Sequence, residues 1–282
     1  MLEGPVGTAI DLLTAVFVLA TMLSTGLGVP VSRLVASLEQ RWLVVRSLLS
    51  NLVLVPLLAV VLIAVVPMDS SYAIGLLLVA IAPGAPFGPK LAEISRSNIA
   101  FASGLMVLLC LVSVVTIPLS MALLIPDGAA VDPMTVAQVV IIAQLAPLLV
   151  GLGIRRRFRS VATRLLEPMR RLSTYSMLLL TVLLVPATAS EFVSLLGTGV
   201  LSVSVAVVVG SIALGYALGG PAVGTREALA TTTAARNIAI ALLVATTTFA
   251  DTRVLAVTLV FGTVGLVVSV VTAGIWRTDD PQ

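Results

Sequence analysis

Residues 81–90 read IAPGAPFGPK and lie inside an apolar run long enough to cross a bilayer. Pro83, Pro86 and Pro89 each remove a backbone donor and crowd the preceding turn. Gly84 and Gly88 loosen what remains. A continuous helix is not expected here. In hydrocarbon, broken backbone survives only where protein buries it or a water-filled cavity receives it. The break therefore marks a cavity at membrane depth, and the chain should be organised around that cavity.

Composition agrees with a membrane setting. The chain is 59% hydrophobic and 10% charged, as polytopic membrane proteins are. There is no histidine, and the single cysteine, Cys110, lies mid-run in an apolar segment. That excludes a disulfide framework and a Cys/His metal site. Lys90 is the only lysine; arginine-rich usage with abundant Ala, Val and Leu points to a GC-rich bacterial source and the cytoplasmic membrane. The arginines collect in alternate loops as orientation signals do, so the basic balance implies no nucleic-acid partner.

A span needs about 20 apolar residues. By that measure the expected fold is all-α with nine spans, at 8–29, 42–66, 71–95, 97–125, 133–154, 172–190, 193–219, 225–249 and 252–276. The first is read as a true span: Glu3 flanks it and no small-residue cleavage site stands out. One set of loops holds Arg33, Arg41, Lys90, Arg96, the long loop 155–171 with its arginines, Arg226 and Arg277. The alternate set holds Asp69, Asp127, Asp132, Glu191 and Asp251, with Arg253 its only basic residue. The basic set is cytoplasmic by the positive-inside rule, with Met1 outside and Gln282 inside.

The loop 155–171 divides the spans into oppositely oriented sets. The third span of the first set is the one broken at Pro83. The third span of the second, TREALATTTAARNIAIALLVATTTF, is interrupted by Thr231–Thr233 and then Arg236 and Asn237. Weakened segments at matching positions of two halves are the signature of an inverted-repeat transporter with discontinuous crossing helices. Threonines that bond back to their own backbone are the alternative for the second break.

Arg236 falls about 15 Å into its span, near the midplane. A guanidinium there costs at least about 2.5 kcal/mol, and the positive end of a half-helix restarting at Asn237 adds to that. An anionic substrate or a buried carboxylate should offset it. Lys90 has Glu93 at i+3, so a local pair and a substrate role both fit. Arg46 sits near a span end and snorkels. Asn51, five residues before Pro56, faces the interior. Asn98, Gln138 and Gln144 are buried polar candidates, and Gly215 with Gly219 gives small-xxx-small packing. No phosphate loop, metalloprotease pair or dinucleotide fingerprint is present, so no enzyme is expected.

The stretches ATMLSTGLGVPVSRL, NLVLVP, YAIGLLLVAIAPGAP with SRSNIAFASG, and ALATTTAARNIAIALLVATTTF resemble the bile acid:sodium symporter family over nearly the whole length. Pro83 and Gly84 match the family's Pro-Gly-Gly turn, and Asn98 and Asn237 match asparagines that follow the two breaks. The resemblance implies a single membrane domain, 1–282. A core of spans within 42–125 and 193–276 would carry the crossed helices, flanked by a panel within 1–41 and 133–190. The resemblance also implies sodium ligands at positions occupied here by Asn51, Gly88, Pro89, Ala102, Met106, Thr232, Thr233, Ala235 and Arg236. Hard cations need oxygen ligands, and glycine, proline, alanine and methionine side chains supply none. The metal sites are therefore expected to be lost, and no cofactor is expected.

The expected function is secondary transport of a small organic anion by alternating access, without sodium. The candidate substrate residues are Arg236, Asn237, Pro83, Gly84, Lys90, Thr232, Thr233 and Asn51. Sodium symport through backbone carbonyls and threonine hydroxyls is the alternative within the class. An oxyanion efflux carrier is another, disfavoured because no cysteine is expected near either break. A non-transporting membrane sensor is the alternative outside the class.

Overall fold

The computed structural model describes residues 5–30, 40–125, 132–187 and 193–279. The expectations placed on Met1, Glu3, Arg33, Asp127, Glu191 and Gln282 lie outside the described residues. Helix α1 is Pro5–Gly28 and α2 is Arg41–Val65. The third span is split into α3, Ser70–Ala80, and α4, Gly88–Ile94. Helix α5 is Ile99–Leu124, and α6 runs through Pro133–Val140, Ile141–Leu145 and Ala146–Arg157. Then come α7, Arg159–Ala187, α8, Val200–Leu218, the split pair α9, Val223–Ala234, and α10, Ile238–Thr248, and finally α11, Thr252–Asp279.

The described residues form helices and no strands. Among them, seven helical stretches are long and apolar enough to cross a membrane, with α9 and α10 counted together. Two of the nine expected spans are not among the seven. One is the broken α3–α4 segment, whose pieces are each too short. The other is 172–190, whose described part is the apolar end of α7. The expected loop 155–171 is not a loop: α6 continues to Arg157, Phe158 alone interrupts, and α7 starts at Arg159. Arginine and leucine are good helix formers, and the first half of α7 has a surface to lie on. Gly28 of α1 approaches Leu166 and Arg170, Ala162 is fully buried, and one turn further on Thr21 and Ser173 hydroxyls meet at 2.6 Å.

Helices α2, α5 and α11 leave large apolar side chains on their outer faces, among them Val65, Leu123 and Val271. This is what a lipid solvent permits, and contact between the helices then rests on close packing. Gly215 and Gly219 do that work between α8 and α9. A Cβ at 215 would lie 2.6 Å from the Ala230 Cα, and one at 219 would lie 2.3 Å from the Arg226 Cα. Sequence-distant loops gather at two ends. At one, Arg253 pairs with Asp69 at 3.1 Å and with Asp251 at 2.8 Å. At the other, the Asn98 N–H donates to the Gly224 carbonyl at 3.1 Å. Between these ends lies the α9–α10 segment, 94% buried over its most apolar stretch.

Candidate functional site

Each proline of the first break has its own place. Pro83 stands in the irregular stretch after Ile81, Pro86 in a turn, and Pro89 in the first turn of α4, where its missing N–H is no loss. Gly84 adopts φ +84°, open to glycine and strained for other residues. Its carbonyl accepts from the Cys110 thiol at 3.1 Å, and a Cβ at 84 would sit 2.9 Å from the Cys110 N and Sγ. The expectation that no cysteine lies near either break is therefore wrong. α5 runs directly behind the broken backbone, a tertiary placement that spacing along the chain does not reveal.

The second break is tighter. α9 ends at Ala234, Ala235 turns extended, and Asn237 caps α10 with its Oδ1 accepting from the Ile240 N–H at 3.3 Å. The Asn237 N–H donates to the Ala82 carbonyl at 2.8 Å. One broken segment thus completes the backbone hydrogen bonding of the other, and the two cross at their breaks.

Arg236 stands at this crossing and is 5% exposed. Nε donates to the Val79 carbonyl at 3.4 Å, Nη1 to Asn51 Oδ1 at 3.2 Å and the Thr233 carbonyl at 3.5 Å, and Nη2 to the Asn51 carbonyl at 3.2 Å and the Ala80 carbonyl. A guanidinium has five N–H donors, so none is left over. Among the described residues no carboxylate lies within ion-pair distance of it. The expected offset was an anion or an acid. The structure instead supplies carbonyls from the last turns of α3 and α9, which carry the negative ends of two helix dipoles.

The Asn51 carbonyl is free for local reasons. Residues 50–54 form a π-turn, and the Val55 N–H donates to Ser50 instead of Asn51. The next residue, Pro56, has no N–H to give. The same turn aims the Asn51 side chain inward, where Nδ2 donates to Thr233 Oγ1 and to the Ser47 carbonyl, both at 3.0 Å. π-turns recur at functional sites, and α6 has a second one at Ile141–Leu145, followed by Pro147. Its Gln144 is fully buried. Nε2 donates to the Cys110 carbonyl at 2.8 Å and to Ser113 Oγ, while Oε1 accepts from Asn237 Nδ2 at 3.0 Å.

Of the sequence candidates, Asn51, Thr233 and Arg236 form one hydrogen-bonded cluster, while Asn237, next in the chain, bonds to Gln144 and Ala82. Pro83 and Gly84 shape the break it rests on. Thr231 bonds back to the carbonyls of Glu227 and Ala228. Thr232 is fully buried, its hydroxyl has no partner, and its side chain faces Gly88. Lys90 points away: its side chain is 56% exposed and pairs with Glu93 at 2.9 Å. Asn98 and Gln138 are exposed rather than buried. Asn98 caps α5 by accepting from the Phe101 N–H at 2.9 Å, and Gln138 lies on an outward face of α6. The participants that sequence reasoning missed are Cys110 and Ser113, and it placed Gln144 no higher than the other buried amides. A polar side chain a few residues before a mid-span proline, as in NLVLVP and AQLAP, is the signal that links Asn51 and Gln144.

Two discontinuous helices cross inside an apolar helical bundle, with a buried cation and inward carboxamides at the crossing, an arrangement in which membrane transporters place their binding sites. The model of the Sodium Bile acid symporter family matches residues 15–196, well over half of the chain, and the chain belongs to that family. The matched part includes the first break; the second lies beyond it. A search of curated proteins found no match.

Proposed function

We propose that this chain is a secondary active transporter of a small organic anion, working by alternating access without sodium. The observation that carries the reading is Arg236: a full positive charge, buried at the crossing, that no carboxylate among the described residues pairs with. Carbonyl dipoles solvate the guanidinium but leave its net charge intact. An anion held about 6 Å away gains about 3 kcal/mol at an effective dielectric of 20, roughly a hundredfold in affinity. Since every guanidinium N–H is engaged, the attraction acts through space. Direct contacts to the anion fall to Asn237, the unpaired Thr232 hydroxyl and the backbone around Pro83 and Gly84. Lys90, paired with Glu93 at the exposed end, has a lesser part.

The nine-span, inverted-repeat reading belongs to the same proposal. Its support is the order of elements: α2, a broken segment, α5, and later α8, a broken segment, α11. Helix α1 packs along α6 and α7, as the expected panel would, with α1, α6 and α7 moving against the rest. The basic ends of α6 and α7 would face the cytoplasm of a bacterial cell. The sodium-coupled reading is less favoured, because the guanidinium already holds the carbonyl oxygens at the crossing.

The test is a thermal-shift screen of the purified protein against organic anions, followed by calorimetric titration of a hit in sodium and in choline buffer. Equal affinity in the two buffers is expected. A tenfold or larger loss in choline, about 1.4 kcal/mol, refutes sodium independence. Proteoliposomes that accumulate none of the anions bound refute transport.

A further inference from the structure

We propose that the first half of α7 is a docking surface for an anionic phospholipid. The headgroup phosphate is held between Arg164 and Arg171, and an acyl chain lies along the apolar strip beside them. This goes beyond the transport reading and holds whatever solute the crossing carries.

The surface follows from how α7 divides its faces. Helix α1 covers one face, where Ser173 meets Thr21 and Leu166 lies beside Gly28. Val161, Leu165, Pro168, Leu172 and Tyr175 follow one another at alternating steps of four and three residues, so they share a different face. All five are exposed. In helical projection Arg164 and Arg171 border this strip on the edge away from α1. Deeper in the membrane the strip continues as Leu179 and Val182, where hydrocarbon covers it.

Charge decides what covers the part near the arginines. Residues 155–171 hold seven arginines and one acid, Glu167. Glu167 accepts the Arg171 Nε–H at 3.2 Å, in an exposed pair that contributes little. A second copy of this chain would bring its own arginines against these, and like charges across an interface oppose it. An anionic lipid complements both features, with a phosphate for the guanidinium forks and a chain for the strip. Basic clusters just outside a span attract such headgroups. The depth also fits. The end of α1, Gly28, lies beside Leu166 and Arg170. Arg171 is level with that end, and Arg164 stands about 10 Å farther out. The two therefore bracket a headgroup layer about 5–8 Å deep.

The experiment is thermal unfolding of the full chain in detergent micelles containing phosphatidylglycerol, phosphatidylcholine or free glycerol 3-phosphate. Wild type should gain at least about 3 °C from phosphatidylglycerol over phosphatidylcholine and nothing from glycerol 3-phosphate. Arg164→Gln with Arg171→Gln should lose most of that gain, and so should Leu165→Gln with Leu172→Gln. Arg159→Gln with Arg170→Gln removes the same charge from another face and should keep the gain. Equal loss from both arginine pairs means diffuse attraction to a basic end and overturns the proposal. So does a gain from glycerol 3-phosphate equal to the lipid's, or no gain from phosphatidylglycerol. In a Cys110→Ala background, Leu172→Cys protein that cross-links to itself in phosphatidylglycerol membranes would put a second copy on the strip and overturn it as well.

Discussion

Asn237 joins three parts of the molecule, and its removal can be resolved into separate costs. Its Oδ1 caps α10 through the Ile240 N–H, its Nδ2 donates to Gln144 Oε1, and its backbone N–H reaches Ala82 whatever the side chain. Losing the cap costs about 1 kcal/mol. Leaving Gln144 Oε1 unpaired in a fully buried site costs about 1–3 kcal/mol more, so Asn237→Ala should destabilise by about 2–4 kcal/mol. Gln144→Met removes the second interaction, together with the Nε2 bonds to the Cys110 carbonyl and Ser113 Oγ, and leaves the cap intact. The two changes share one hydrogen bond, so their effects should not add. Cycles in membrane proteins average about 0.6 kcal/mol and reach about 1.7. Complete burial at both ends places this pair in the upper part of that range, at about 1–1.5 kcal/mol. Asn237→Ser keeps a capping hydroxyl but cannot reach Gln144, so it should lose the coupling and retain most of the cap. Unfolding of the four proteins of the cycle in mixed micelles measures the coupling. Additivity to within about 0.3–0.5 kcal/mol would refute the claim that this bond ties α6 to the crossing.

Gly84→Ala should cost about 2–4 kcal/mol, the sum of a left-handed backbone penalty and overpacking against Cys110. Adding Cys110→Ala should restore only part of the thermal stability, because the clash with the Cys110 backbone N remains; full restoration would contradict this. At the end of α10, burial pushes the Asp251 carboxyl up, but hydrogen bonds from Arg253 and Ser71 outweigh that and hold it below the usual range. A lowered carboxylate value contributes stability above its unfolded value near 3.9 and loses it as pH falls through the folded one. Asp251→Asn should therefore weaken the protein at neutral pH and flatten its loss of stability below about pH 4; an unchanged acid slope would exclude this role. In a Cys110→Ala background, Asp69→Cys should react with a membrane-impermeant thiol reagent on intact cells and Arg156→Cys should not, by the positive-inside rule. The reverse pattern would invert the proposed orientation.

Much of this molecule is legible along the chain because its causes are local. Three prolines within seven residues break a helix wherever they fall. Asn237 followed by an apolar run caps a new helix. The small spacing of Gly215 and Gly219 brings α8 onto α9, and Lys90 with Glu93 at i+3 makes a pair on one short helix. The helical course of 155–171 was missed because arginine density reads as a loop in a hydropathy pattern, while α1 offers the surface that keeps it helical.

What surrounds Arg236 could not be read in the same way. The sequence by itself determined that a cation stands at membrane depth beside a break, and that something must balance it. Only the tertiary structure decided that the balance comes from Val79, Ala80, Thr233 and Asn51, up to 185 positions away in the chain. The physical reason is that these acceptors are mostly backbone carbonyls. Every residue has one, so no residue type marks it. A carbonyl becomes available only where a helix ends, a π-turn shifts the register or a proline withholds its N–H, and it becomes a ligand only when packing brings it to the cation.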